Sequence, residues 1–156
     1  MESVKRNKHL IQHLTIKGSP YADEVISSVM SDLTATALNL RDSEIEDYDL
    51  QALSEALKTN LTLTTLNLGS NSIRGDEAQT LIQALRTNLT LDNLGLFFHK
   101  IRLQGAQALS EALKTNSTLT TFSLDYNQIG ANGAQPLSEA LKTNVFKIHG
   151  YLSYAL

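Results

Sequence analysis

The chain has 156 residues, of which 42% are hydrophobic and 19% are charged, and these proportions are those of one folded domain rather than of a disordered segment. Its formal net charge of -3 gives no general attraction to phosphate backbones or anionic membranes, so we expect neither a nucleic-acid partner nor a membrane partner. The chain contains no cysteine, and its N-terminus has no apolar run of the kind found in export signals, so we expect a cytoplasmic protein without disulfides.

The first 32 residues are less regular than the rest and are predicted to form an N-terminal capping segment (residues 1–32). Apolar residues at strand spacing come first in this segment. A helical face follows them, formed by Val25, Ile26, Val29 and Met30.

Residues 33–144 consist of four consecutive units of 28 residues. Each unit ends at an asparagine, and the units span residues 33–60, 61–88, 89–116 and 117–144. Counted within each unit, the sixth and eighth places are apolar, which predicts short strands near 37–40, 65–68, 93–96 and 121–124. Later in each unit the apolar spacing becomes helical, so each unit is predicted to be a strand, a loop and a helix.

The segment "LTTLNLGSNSI" in the second unit resembles the leucine-rich repeat signature L-x-x-L-x-L-x-x-N-x-I. Its matching residues are Leu63, Leu66, Leu68, Asn71 and Ile73. A 28-residue unit that ends in a helix is similar to the ribonuclease-inhibitor subtype of that family. The resemblance implies an α/β solenoid, with parallel strands on a concave face and helices on a convex face. The first and third units depart from the signature, because Ser43 and His99 take the asparagine place, and we expect those two loops to be looser or differently bonded.

The tail "VFKIHGYLSYAL" (residues 145–156) is predicted to be a partial repeat or an irregular C-terminal segment. Its residues are mostly apolar and include a single charged side chain, Lys147. We therefore expect the tail either to fold over the last core layer or to mediate self-association with a second copy.

The sequence predicts no catalytic residue, no cofactor site and no metal site, and therefore no enzyme. His9 and His13 have the spacing of a metal-binding pair on a helix, but they lie where irregular structure is expected. The acidic run at residues 41–49 lacks the glycine and glutamate positions of a calcium loop and is interpreted as a solvated loop.

Three of the asparagines that end the units are the first residue of an Asn-x-Ser/Thr triplet, the pattern of N-glycosylation sites: Asn60, Asn88 and Asn116. The repeat architecture explains them more simply, as residues that end each helix in a left-handed backbone conformation.

Candidate partner-binding residues occupy the ninth and tenth places, which follow each predicted strand: Arg41, Asp42, Phe97, Phe98, Asp125 and Tyr126. Equivalent places in adjacent units lie one strand apart, so Phe98 and Tyr126 are expected to be neighbours. Aromatic side chains beside a charge are typical of the centre of a protein interface. The alternative is that Phe98 folds inward and fills the loop in which His99 replaces asparagine.

The resemblance implies a non-enzymatic module that binds a protein partner on its concave face. Similar families include ribonuclease inhibitors, NOD-like immune receptors and Ran GTPase-activating proteins. The last of these supplies the alternative function, regulation of an enzyme such as a small GTPase. A pathogen or symbiont effector fragment is a further alternative.

Overall fold

The structure is a computed structural model, and it describes residues 24, 26–28, 31, 35–143 and 149–151. Most of the capping segment 1–32 and most of the tail 145–156 lie outside these residues, as does the His9–His13 pair. From the predicted helical face of the capping segment, Ile26 is described, and it is fully buried in the core.

Short strands and helices alternate along the described chain. In order they are β1 (Ala37–Asn39), α1 (Asp47–Thr59), β2 (Thr65–Asn67), α2 (Gly75–Leu85), β3 (Asn93–Gly95), α3 (Arg102–Thr115), β4 (Thr121–Ser123), α4 (Gly130–Thr143) and β5 (His149–Tyr151). The four strands predicted from the repeats are therefore confirmed, and each ends one residue earlier than predicted.

The five strands form one parallel sheet in the order β1-β2-β3-β4-β5. Each pairing joins residues that are 28 apart in sequence, so Leu38 pairs with Leu66, and Leu66 pairs with Leu94. Successive helices pack on one another, α1 on α2, α2 on α3 and α3 on α4. The predicted α/β solenoid is confirmed, with the sheet on one side and the row of helices on the other.

The core lies between the sheet and the helices and is built from equivalent places of the four units. Buried residues recur at the third, sixth, eighth and thirteenth places, and in the second unit they are Leu63, Leu66, Leu68 and Ile73. Each such side chain stabilises the fold by roughly 2 kcal/mol through removal of apolar surface from water. The strand residues on either side of the sixth place are only partly buried, and they form the open face of the sheet.

The signature asparagine binds consecutive units together through its buried side chain. The Asn71 amide nitrogen donates to the carbonyl of Leu40 at 2.8 Å, and its oxygen accepts from the backbone N–H groups of Ser43 at 2.9 Å and Ile45 at 3.2 Å. Asn127 makes equivalent bonds between the third and fourth units. The asparagine side chain thus satisfies buried backbone groups of the preceding unit's loop.

The third-unit loop uses His99 where the second and fourth units use asparagine. The His99 side chain is buried, and its Nδ1 accepts a hydrogen bond from the N–H of Ile73 at 3.1 Å. Within the described residues Nε2 has no hydrogen-bond partner. Burial lowers the pKa of His99 from 6.5 to about 4. The loop is therefore differently bonded, with a neutral imidazole.

The asparagines that end the repeats act through their side chains. Asn60 and Asn116 have φ angles of -72° and -70°, so the expected left-handed conformation is wrong. Asn88 is buried, accepts from the N–H of Leu91 at 2.7 Å, and donates to the Leu57 carbonyl at 2.8 Å. A glycan at Asn88 would require breaking that donor bond and exposing the residue.

Candidate functional site

An aromatic patch, defined here as Phe97, Phe98 and Tyr126, lies where β3 and β4 end. The rings of Phe98 and Tyr126 are stacked, with centroids 4.3 Å apart and an interplanar angle of 4°. Phe97 packs edge-on against Phe98, with centroids 6.1 Å apart. Phe98 is 49% exposed and Tyr126 is 47% exposed, so the stacked pair presents a large aromatic surface to solvent.

Phe97 extends from the third unit across the second unit towards the first. Its ring lies directly over Gly69, where even the methyl group of alanine would collide with it. The guanidinium carbon of Arg41 lies 5.1 Å from the centroid of the same ring, within the range of a cation–π interaction. Gly69 therefore provides the space that Phe97 occupies, and Arg41 covers the far side of the patch.

The tenth place of every unit has a left-handed backbone, which places bulky residues in an unfavourable conformation. The φ angles are 54° at Asp42, 62° at Ser70, 57° at Phe98 and 60° at Tyr126. A left-handed backbone costs roughly 1–2 kcal/mol for residues other than glycine, with asparagine and aspartate the best tolerated. Two aromatic residues are therefore held at positions that glycine or asparagine would occupy with less strain.

The two candidate acidic residues lie on opposite sides of the patch. Asp125 accepts a hydrogen bond from the Ser123 hydroxyl at 2.8 Å, and its backbone carbonyl accepts from the N–H of Phe98 at 2.9 Å. Asp42 is exposed in the first unit and donates its N–H to the Gly69 carbonyl at 3.0 Å. Asp125 thus borders the stacked pair, whereas Asp42 lies two units away from Phe98.

The interior of the third-unit loop is occupied by His99, and Phe98 points outward beside it. Phe98 is half exposed while His99 is 2% exposed. The alternative in which Phe98 folds inward to fill this loop is therefore wrong, because the imidazole already occupies the interior.

Sequence reasoning missed a second surface, a cleft next to the patch at the beginnings of α2 and α3. This basic cleft has a volume of about 470 Å³ and is lined by Arg74, Gly75, Asp76, Lys100, Ile101, Arg102, Leu103, Gln104 and Gln107. Its cations could have been found by comparing the loops of the units. The twelfth place is Glu44, Ser72 or Gln128 in the other units but Lys100 in the third.

The described residues show little sign of other chemistry. Among them no group of three or more histidine and carboxylate side chains could hold a metal ion. The helices of the same part of the chain are too short or too polar to span a membrane.

Comparison with known proteins identifies the repeat and the fold. A family model described as Leucine Rich repeat matches residues 59–78 and 115–138, which include β2 and β4. The chain is similar to the solved structure of "Leiomodin-1 Actin-Binding Site 2", with 25% identity and a TM-score of 0.71, over 81% of this chain and 75% of that one. It also has the fold of a Caenorhabditis elegans tropomodulin C-terminal domain, with 19% identity and a TM-score of 0.65, over 76% of this chain and 77% of that one. No curated protein sequence matches the chain significantly.

Proposed function

Because the chain is a leucine-rich repeat protein, we propose that it is a binding module that holds a protein partner against the aromatic patch and the adjoining open face of its sheet. The observation that carries the proposal is the exposed stack of Phe98 on Tyr126. Binding rather than catalysis is the activity that such a surface supports.

The stacked pair has the properties of an interface anchor. Large aromatic side chains supply much of the binding free energy in protein complexes, and they do so when a partner removes them from water. Here both rings are about half exposed and both stand on strained left-handed backbone. The left-handed conformation recurs at the tenth place of every unit, so these two positions differ from the others in their exposed aromatic side chains.

Charged residues at the border of the patch are proposed to determine specificity more than affinity. Arg41 lies over Phe97 and Asp125 borders Phe98, so a partner must present complementary groups at both ends. The 28-residue unit, with an α-helix in every described repeat, supports assignment to the ribonuclease-inhibitor subtype. A cytoplasmic location fits such a module.

The test is quantitative affinity capture from lysate, followed by binding measurements with each purified captured protein. A Phe98→Ala/Tyr126→Ala variant should weaken the partner's binding by more than about 2 kcal/mol, because both anchors are removed. Tyr48→Ala is the matched control, since Tyr48 is 52% exposed but lies on α1. A partner that binds the wild type and the patch variant equally would exclude the patch as its site.

Actin is a second candidate partner, favoured by the similarity to an actin-binding site of leiomodin-1. Cosedimentation with filamentous actin, and calorimetry with monomeric actin, would test it directly. If neither form binds at concentrations well above those used for capture, actin is excluded and the broader proposal of a protein partner is unaffected.

A further inference from the structure

The basic cleft adjoins the aromatic patch through the third-unit loop. Phe98 and Lys100 are separated by one residue, so their Cα atoms are at most about 7 Å apart. Beyond Lys100, Ile101 and Leu103 contribute apolar lining to the cleft, and Leu103 is 39% exposed. A bound extended segment could therefore contact the patch and the cleft at once.

The cleft carries positive charge that the described residues compensate only in part. Arg74 forms an ion pair with Glu77, and its Nε atom lies 3.9 Å from the Oδ1 atom of Asp76. The hydrogen bond from Arg74 to Glu77 raises the pKa of Arg74. Lys100 and Arg102 are exposed and form no ion pair within the described part of the chain. Lys100 and Arg102, at the edge of the cleft, thus have no acidic partner among the residues that the structure describes.

The backbone holds these cations close to one another. Arg74 and Lys100 form an isolated parallel bridge, and the Lys100 N–H donates to the Ile73 carbonyl at 2.8 Å. The Arg102 N–H donates to the Asn127 carbonyl at 3.1 Å, and Arg102 has a left-handed φ of 55°. Like charges on adjacent chain segments repel one another. Because Glu77 and Asp76 already compensate Arg74, an anionic group bound at the cleft would be attracted mainly by Lys100 and Arg102.

Acidic residues are unevenly distributed around the patch and the cleft. Residues 41–47 of the first unit include Asp42, Glu44, Glu46 and Asp47, whereas the equivalent residues 97–103 of the third unit contain no acidic residue. Asp125, at the border of the patch on the fourth-unit side, accepts from the Ser123 hydroxyl and keeps its negative charge. The exposed residues are therefore mainly basic on the third-unit side of the patch and mainly acidic on the first-unit side, with two exceptions. Asp76, which lines the cleft, lies next to Arg74, and Arg41 is a cation of the first unit.

We propose that the partner presents an acidic segment with interspersed apolar residues, whose apolar side chains cover the aromatic patch and whose carboxylates lie in the basic cleft. This inference rests on the proposed function, since it identifies the chemistry of the partner at that same surface. Exposed carboxylate–cation pairs of this kind accelerate association and are weakened by salt.

The experiment compares three synthetic peptides with the full chain by fluorescence anisotropy. All three carry leucine and phenylalanine at the same alternating positions, and the positions between them are filled with glutamate, glutamine or lysine. The glutamate peptide should bind best, and its affinity should fall as salt is raised.

A matched pair of variants locates the carboxylate contacts. Lys100→Gln/Arg102→Gln should weaken glutamate-peptide binding on the order of tenfold, because two exposed pairs are lost. The control, Lys58→Gln/Lys114→Gln, makes the same change in net charge on α1 and α3, away from the cleft, and should leave binding unchanged.

Several results would overturn the inference. They are equal binding of the glutamate and glutamine peptides, preference for the lysine peptide, no binding of any peptide, or no effect of Lys100→Gln/Arg102→Gln.

If the glutamate and glutamine peptides bind equally but lose affinity with Phe98→Ala/Tyr126→Ala, the proposed function stands and the acidic partner does not. If no peptide binds, the capture experiment still decides the proposed function. Sedimentation showing a dimer that the cation variant abolishes would make a second copy the occupant and would also exclude the inference.

Discussion

Phe98 combines an exposed ring with a backbone conformation that disfavours its own side chain. Its φ is 57°, and its ring stacks on Tyr126 with a centroid separation of 4.3 Å. Beyond the area that it buries, the stack contributes about 0.5–1.5 kcal/mol, which is comparable to the cost of about 1–2 kcal/mol for the left-handed backbone. Stacking alone therefore does not exceed the backbone cost, and the exposed halves of both rings are available for binding.

Two substitutions at Phe98 separate backbone strain from ring contacts. Phe98→Asn and Phe98→Ala both remove the ring, but asparagine tolerates the left-handed conformation and alanine does not. We expect the asparagine variant to be more stable than the alanine variant by about 1 kcal/mol in urea unfolding. Both should lose partner binding to the same extent. Equal stability of the two variants would mean that the backbone at this position is not strained.

His99 makes the stability of the repeat depend on pH. Its pKa is about 4 in the folded chain, against 6.5 when exposed, so between these values the unfolded chain binds more protons. The free energy of unfolding should therefore fall as the pH drops from about 6.5 to about 4, by up to about 3 kcal/mol from this residue. Above pH 6.5 its contribution is constant.

The variant His99→Asn tests this dependence. Asparagine does not titrate. At the equivalent place in the second unit, Asn71 bonds backbone groups through both its amide nitrogen and its amide oxygen. The difference between wild type and variant, measured by urea unfolding at several pH values, isolates the imidazole from other titrating groups. Parallel pH profiles would show that His99 is not held neutral by the fold.

Each strand and helix has one face that packs in the core and stabilises the fold, and one more exposed face that contributes little to stability. Leu94 in β3 is 2% exposed, so Leu94→Ala should cost about 2–5 kcal/mol through loss of contacts and formation of a cavity. Lys114 in α3 is exposed and pairs with Glu111 at 2.6 Å, so Lys114→Ala should cost less than about 1 kcal/mol. Chemical denaturation of both variants measures the two values. Similar losses would contradict the assignment of inside and outside faces.

Each repeat contributes one strand to the sheet, and β5 of the tail adds a fifth strand beside β4. Thr121 of β4 pairs with His149, again 28 residues later, so the backbone of the tail continues the register of the four units. Deleting residues 145–156 would remove β5 and leave the edge of β4 unpaired. We expect a lower melting temperature for the chain ending at Asn144.

Sedimentation of both chains tests the predicted self-association through residues 145–156. If the full chain is a dimer and the shortened chain a monomer, the tail is the interface. If both are monomers but the shortened chain melts at a lower temperature, the tail acts as a cap. An unchanged melting temperature together with unchanged mass would contradict both expectations.

The repeat period, together with the apolar spacing within each unit and the leucine-rich repeat signature, predicted the fold of this protein. A 28-residue period places equivalent apolar residues such as Leu66 and Leu94 one strand apart, and parallel pairing then follows because the units cannot bury their apolar faces separately. The same period predicted that Phe98 and Tyr126 would be neighbours, since a place in one unit lies beside the same place in the next. Such inferences need only the spacing of residue types.

Only the tertiary structure decided the contacts that a side chain of one unit makes with residues of another unit. Phe97 lies over Gly69 and under Arg41, His99 replaces an asparagine by accepting from Ile73, and Lys100 is held beside Arg74. Each of these contacts joins residues of different units that lie 26 or more positions apart in the sequence. Left-handed turns at the tenth place reorient the chain after each strand. The periodicity of the sequence specifies which strands pair, but the direction of each loop side chain depends on the space that its neighbours in the adjacent units leave free.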